Sequence, residues 1–150
     1  MIKRITFILS LILVCSGLAS DQNSGFGLGI IIGEPTGISA KLWQSQTTAY
    51  DAGIAWTLGK NGHMHLHADH LWHSFGLINV SKGKLPVYYG IGARFVFADD
   101  LVIGARFVGG LDYMFATAPI DIFLELAPVL NFVPGTDFEM NGAIGFRYFF

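Results

Sequence analysis

Apolar and polar residues alternate along most of the chain, a period of two that is typical of β-strands separating two environments. Between residues 119 and 131, the even positions from 120 to 126 carry Ile or Leu, whereas Asp121 and Glu125 fall on the odd positions. The same reading applied from residue 25 onward predicts eight strands, at about 25–33, 36–45, 48–58, 62–74, 85–98, 101–115, 119–131 and 137–150.

Turn-forming residues separate the predicted strands, as expected for short antiparallel connections. Examples are Glu34-Pro35-Thr36-Gly37 and Pro134-Gly135-Thr136-Asp137, and a longer connection runs from about Ser74 to Lys84. Strands of ~9–11 residues suffice to cross a bilayer in a tilted barrel. The fold class predicted is therefore all-β, an eight-stranded antiparallel up-and-down transmembrane β-barrel, occupying residues 24–150.

The polar face of each strand indicates what fills the predicted barrel. Glycines and small polar residues share this face with the charged residues, while larger apolar residues lie opposite, which is the polarity of a transmembrane barrel and the reverse of a soluble lipid-binding barrel. Eight strands leave room inside only for side chains. The predicted interior charges are Lys41, Asp51, Asp69, Arg94, Arg106, Asp112, Asp121, Glu125, Glu139 and Arg147. Buried charges require partners, so we expect an ion-pair network that fills the barrel; a gated ion path is the alternative.

Composition agrees with a surface that faces lipid. Hydrophobic residues make up 52% of the 150 residues and charged residues only 13%, beside 19 glycines. That is unusually little charge for a water-exposed surface. There is no basic stripe, so nucleic acid is not expected as a partner. Aromatic residues near predicted strand ends suggest interface girdles: Trp43, Trp56, Trp72, Tyr50, Tyr89, Tyr113, Phe115, Tyr148 and Phe150.

The amino-terminal segment predicts export. Lys3 and Arg4 precede an apolar stretch, and small residues up to Ala19 follow it, which is the pattern of a cleaved signal peptide spanning residues 1–19. Its removal takes the chain from nine basic residues to seven, against eleven acidic ones, a formal net charge near −4. The one cysteine, Cys15, leaves with it. We therefore expect no disulfide and no cysteine-bound metal in the mature protein.

All five histidines lie between residues 63 and 73. His63, His65 and His67 alternate onto one face, which Asp69 continues, and the three histidines are weak candidates for a Zn²⁺, Cu²⁺ or Ni²⁺ site. Same-face neighbours on a strand lie ~7 Å apart, which does not bring three ligands to one ion without a bulge. We therefore predict no metal, no cofactor and no catalytic residues. The adjacent pair His73-Ser74 suggests a lipid hydrolase only weakly, because neighbouring side chains on a strand face opposite ways.

The carboxyl-terminal segment Asn141–Phe150 resembles the terminal β-signal of bacterial outer-membrane proteins, in which the chain ends in Phe and alternate preceding residues are apolar or aromatic. Ile144, Phe146, Tyr148 and Phe150 occupy those positions. The resemblance implies that the barrel-assembly machinery and periplasmic chaperones are partners during biogenesis.

Three further segments are distinctive: Gly33–Gly37, Leu85–Gly92 and Asp121–Pro128. Through them the chain, from about residue 24 to its end, resembles the OmpA-like and OmpX-like eight-stranded barrels, including small uncharacterised members from spirochaetes. The resemblance implies a bacterial outer-membrane location in contact with outer-membrane lipids, and little about activity. We expect a structural, non-enzymatic barrel; the alternatives are a narrow channel or transporter for small solutes, a lipid A-modifying enzyme, or a soluble periplasmic lipid-binding barrel.

Overall fold

A computed structural model describes residues 24–56 and 62–150, and the regular elements within them are all β-strands. Predicted and observed strand bounds differ by two residues or fewer wherever they can be compared; residues 57–58 of the third predicted strand lie outside the described residues, as does the predicted signal peptide at 1–19. The strands are β1 Phe26–Gly33, β2 Gly37–Trp43, β3 Thr48–Trp56, β4 Met64–Ser74, β5 Val87–Phe97, β6 Leu101–Met114, β7 Ile120–Val133 and β8 Asp137–Phe149.

The eight strands form one closed barrel, which confirms the predicted fold class. Each strand pairs antiparallel with the next in sequence. The barrel closes where β1 meets β8, with Leu28 opposite Tyr148 and Ile30 opposite Phe146. Closure gives every described strand two hydrogen-bonded neighbours, so the sheet has no free edge.

The two ends of the barrel differ in their connections. At one end, here called the turn end, lie the connections β1–β2, β3–β4, β5–β6 and β7–β8. At the other, called the terminal end, the amide of Phe150 donates to the carbonyl of Phe26 at 2.9 Å. The connection from β4 to β5, residues 75–86, also lies at the terminal end and is the longest in the described chain.

Alternation places each strand's charges inside and its large apolar side chains outside. In the eight described strands, every Lys, Arg, Asp and Glu occupies a position on the inward-facing side of its strand. Asp137 lies at the rim, where β8 begins. Large apolar side chains stand exposed on the outer face of all eight, among them Ile30, Ile38, Ile54, Leu66, Ile91, Phe107, Leu126 and Ile144.

The interior is less polar than the sequence indicated. Two groups of buried apolar residues lie inside. The first group comprises Ile31, Leu71, Tyr88, Val108, Phe123, Ala127 and Ala143. The second group, at the terminal end, comprises Trp43, Ala49, Met114 and Phe149, with Phe75 packed against it.

Trp43 corrects one expectation. Its side chain lies inside the barrel, 7% exposed, and is not part of an outer girdle. Its ring packs against His73, with 4.5 Å between the ring centroids. Trp43 follows Lys41 by two residues and therefore shares the interior face of β2.

Candidate functional site

The interior charges form the most distinctive chemical feature of the barrel. Nine of the ten charged residues predicted to lie inside are buried: Lys41, Asp51, Asp69, Arg94, Arg106, Asp112, Asp121, Glu125 and Arg147. The tenth, Glu139, has 41% of its side chain exposed and pairs with Arg94 at the turn end. Apart from Arg94, the buried charged residues divide into two clusters of four, one nearer each end.

The first cluster, called the Lys41 cluster, lies nearer the terminal end and consists of Lys41, Asp112, Asp121 and Arg147. Lys41 Nζ donates to Asp112 Oδ2 at 2.6 Å. Arg147 donates to both carboxylate oxygens of Asp121, through Nε at 3.0 Å and Nη2 at 2.8 Å. Two cations thus face two carboxylates, and the cluster is formally neutral.

Aromatic rings enclose the Lys41 cluster. Lys41 Nζ lies 4.3 Å from the centroid of the Trp43 ring, and the Arg147 guanidinium carbon lies 3.9 Å from that of Phe123. His73 completes the surroundings, with Nε2 at 2.9 Å from Lys41 Nζ. Such cation–π contacts strengthen when water is excluded. The cluster is therefore held by packing as well as by charge.

The second cluster, called the Arg106 cluster, lies nearer the turn end and consists of Asp51, Asp69, Arg106 and Glu125. Arg106 bridges two carboxylates: Nε donates to Asp69 Oδ2 at 2.9 Å and Nη2 to Glu125 Oε1 at 2.6 Å. The Tyr88 hydroxyl donates to the other oxygen of Glu125 at 2.9 Å. Asp51 lies directly opposite Asp69 in the pairing of β3 with β4.

Glycine makes the Arg106 bridge geometrically possible. Gly92 stands between Asp69 on β4 and Arg106 on β6 in the strand register. A methyl group at Gly92 would overlap Asp69 Oδ1. Without a side chain at that position, the guanidinium group reaches across β5 to its carboxylate.

The two clusters differ in charge balance. The Lys41 cluster has two cations and two carboxylates, and Arg94 pairs with Glu139. The Arg106 cluster has three carboxylates but only one guanidinium group. The Arg106 cluster thus carries a formal surplus of two negative charges. Asp51 Oδ1 and Asp69 Oδ1 are buried there without a hydrogen-bond partner among the described residues.

The first apolar group joins the clusters and fills the space between them. The Tyr88 hydroxyl bonds to Glu125, while the Tyr88 ring lies 5.7 Å from Lys41 Nζ. Phe123 is 1% exposed and covers Arg147. Side chains of this size fill much of the interior of an eight-stranded barrel.

A cavity of about 770 Å³ opens at the turn end. His63, His65, Arg94, Glu139 and Asn141 contribute to its lining. His63 and His65 are half-buried there. His67, two residues further along β4, is 4% exposed and lies below the cavity.

The structure regroups the histidines considered as metal ligands. His67 lies beside Asp51 and Asp69. Each of the three residues offers one potential ligand atom, and these three atoms lie within 4.8 Å of one another. His63 and His65 do not belong to that group. Asp51 was not predicted as a ligand because it lies on the neighbouring strand; antiparallel pairing of β3 with β4 would have indicated it.

The pair His73-Ser74 divides between the two faces of β4. His73 is buried inside, and its Nδ1 lies 3.2 Å from the carbonyl oxygen of Thr47. Ser74, the next residue, occupies a position on the outward-facing side of β4. The two side chains therefore do not form a nucleophile–base pair.

The outer face carries an aromatic belt at the terminal end. Tyr50, His70, Trp72 and Tyr89 form a continuous series of ring contacts, with centroids 4.5 to 5.6 Å apart. Further round the barrel, Tyr148 contacts Phe150 edge-on at 5.2 Å. Of the terminal residues that resemble an assembly signal, Ile144, Phe146 and Tyr148 are exposed on the outer face, and Phe150 is half-buried.

No helix within residues 24–56 and 62–150 is long and apolar enough to cross a membrane.

Comparison with known proteins identifies a similar fold. No family model matches the chain, and no curated protein matches it. Among solved structures, it is similar to the N-terminal β-barrel domain of Pseudomonas aeruginosa OprF, with a TM-score of 0.59 and 13% sequence identity. The similarity covers 87% of this chain and 100% of that domain. At this identity the comparison shows a shared barrel fold.

Proposed function

We propose that this protein is an OmpA-like integral barrel of a bacterial outer membrane, with a structural rather than catalytic role. The observation that carries the proposal is the distribution of charge. The outer face of the eight described strands holds no Lys, Arg, Asp or Glu, while the buried charges lie inside and all of them except Asp51 form ion pairs. A soluble barrel needs the reverse arrangement, because water solvates its outer face.

The aromatic belt supports the same placement. Tyr and Trp favour the boundary between hydrocarbon and headgroups, and Tyr50, Trp72 and Tyr89 are close together on the outer face at the terminal end. Lys82 and Lys84 lie beyond this belt, in the connection between β4 and β5. The apolar band between the two ends would contact outer-membrane lipids.

The packed interior supports a structural role. Arg106, Arg147, Tyr88, Lys41 and Phe123 are among the largest fully buried side chains. The ion pairs of the three cations bind one strand to another across the barrel, as Arg106 joins β4 to β7. A barrel filled in this way supplies a rigid membrane-embedded unit and no route for solutes.

Biogenesis would depend on the last strand. Phe146 and Tyr148 face outward on β8, where the barrel-assembly machinery could bind them before closure, after delivery by periplasmic chaperones. We expect Phe150→Ala to reduce insertion into the outer membrane. Phe138→Ala is the matched control, since Phe138 is an exposed aromatic residue near the other end of β8.

Fractionation of a Gram-negative host expressing the full chain tests the proposal. The protein should sediment with outer membranes, resist carbonate extraction and migrate faster in unheated than in heated gel samples. Recovery as a soluble periplasmic protein would refute the membrane assignment. In planar bilayers the purified barrel should give no conductance steps, and steady single-channel currents would favour a channel instead.

A further inference from the structure

We propose that Asp51, His67 and Asp69 bind one divalent transition-metal cation inside the barrel. All three side chains are buried, at 6%, 4% and 2% exposure. They offer two carboxylate oxygens and an imidazole nitrogen within 4.8 Å of one another. Around a zinc ion, bonds of ~2.1 Å place tetrahedral ligands ~3.4 Å apart, so small side-chain rotations bring the three atoms to one ion.

The surroundings leave two oxygen atoms available for a cation. Asp51 Oδ1 and Asp69 Oδ1 are both buried and have no hydrogen-bond partner among the described residues. Unpartnered carboxylate oxygens are costly in a dry interior. A cation placed between them would satisfy both atoms and separate two like charges that face each other across β3 and β4.

Charge balance favours a divalent ion over a monovalent one. The Arg106 cluster has three carboxylates and one guanidinium group, a formal surplus of two negative charges. A bound M²⁺ would make the cluster neutral, like the Lys41 cluster and the Arg94–Glu139 pair. The imidazole ligand favours Zn²⁺, Cu²⁺ or Ni²⁺ over Mg²⁺ and Ca²⁺, which prefer oxygen.

Second-sphere contacts orient the carboxylate of Asp69. Arg106 Nε holds Asp69 Oδ2 at 2.9 Å, and its Nη2 is fixed by Glu125 at 2.6 Å. The other oxygen, Oδ1, lies over Gly92 and has no hydrogen-bond partner among the described residues. Supporting contacts of this kind are typical of metal sites.

The absence of a side chain at Gly53 leaves room for the imidazole ring of His67. Gly53 lies opposite His67 in the β3–β4 register, and a methyl group there would overlap the imidazole ring. His65, two residues nearer the turn end, lines the cavity that opens outward. Ions would enter by this cavity before reaching the three ligands.

Titration of the refolded, chelator-treated chain in detergent micelles tests the site, independently of where the protein resides in the cell. Isothermal titration with Zn²⁺ should show one ion bound per chain, and Co²⁺ should give the visible absorption of a low-coordinate complex. His67→Gln and Asp51→Asn should each weaken Zn²⁺ binding by more than about tenfold, since loss of even an outer-sphere partner costs ~10–100-fold.

His63→Gln is the matched control, because it removes a histidine from the same strand face near the cavity but leaves the three ligands intact. It should bind Zn²⁺ as the unmodified chain does. The proposal is overturned if the folded, unmodified chain binds no Zn²⁺, or if His63→Gln weakens binding as much as His67→Gln. It is also overturned if Asp51→Asn leaves Zn²⁺ binding unchanged. A further contrary result would be an infrared band of a protonated carboxylic acid that persists when Zn²⁺ is added and disappears in Asp51→Asn, because Asp51 would then carry a proton in place of the metal. Gel migration of unheated samples verifies that each variant is folded.

Discussion

Arg147→Met isolates the contribution of a buried ion pair to the stability of the barrel. Arg147 is 1% exposed and makes two short hydrogen bonds to Asp121, at 2.8 and 3.0 Å. Met fills similar space without charge. The substitution would leave two buried carboxylates sharing Lys41, which is 2.6 Å from Asp112 but 4.0 Å from Asp121.

Breaking a buried pair on one side costs ~3–5 kcal/mol, because the remaining charge is uncompensated. We expect a loss of that size for Arg147→Met and also for Asp121→Leu. Replacing both residues removes the uncompensated charge and leaves the Lys41–Asp112 pair in place. The double variant should therefore lie within ~2 kcal/mol of the unmodified protein, whereas independent losses would sum to ~6–10 kcal/mol.

Urea-induced unfolding in lipid vesicles, monitored by tryptophan fluorescence and by gel migration, measures these free energies. Glu139→Gln is the comparison variant. Glu139 is 41% exposed and its partner Arg94, although only 7% exposed, lines the cavity that opens at the turn end, so water reaches the charge left behind and the loss should be smaller than for Arg147→Met. Our reasoning fails if Arg147→Met costs no more than Glu139→Gln, or if the double variant shows additive losses. Either result would mean that water solvates the interior charges.

Two further predictions concern the two faces of the sheet. Leu126→Arg, on the outer face at the middle of β7, should lower the free energy of unfolding in vesicles by ~2–4 kcal/mol. Phe138→Arg, near the start of β8, should lower it by only ~0–1 kcal/mol. Equal losses for the two variants in urea unfolding would argue against a bilayer around the strands. Gly145→Ala introduces a methyl group that overlaps the Phe123 ring inside and should cost ~1–3 kcal/mol. Adding Phe123→Leu should recover part of that loss, and an unchanged midpoint for Gly145→Ala alone would contradict the packing described for the interior.

The barrel could be predicted from sequence because each strand has an apolar outer face and a largely polar inner face, so a period of two indicates both the strand and its two faces. Strand β7 shows this most directly, with Asp121 and Glu125 inside and Leu126 outside. Strand bounds followed from the turn residues. Trp43 was placed wrongly because its position near a strand end outweighed the alternation that groups it with Lys41.

Partner choice within the interior could not be predicted in the same way. Which charges meet depends on the stagger of the strands and on the room that glycines leave between them. Arg106 reaches Asp69 across Gly92, a contact that spans two strand pairings. Likewise, the grouping of Asp51 with His67 requires the register of β3 and β4 as well as the face of each residue.

The pairing of β1 with β8 has a consequence for the order of events during folding. It joins segments about 120 residues apart, with Gly27 opposite Phe149, whereas the other seven pairings are made between consecutive strands. Contacts of such long separation form late, since loop-closure entropy opposes them. Until then a growing sheet displays two open edges that attract other chains. The vulnerable period should therefore last until the final strand arrives, so we expect that shielding both edges would improve the folding yield more than accelerating any single hairpin.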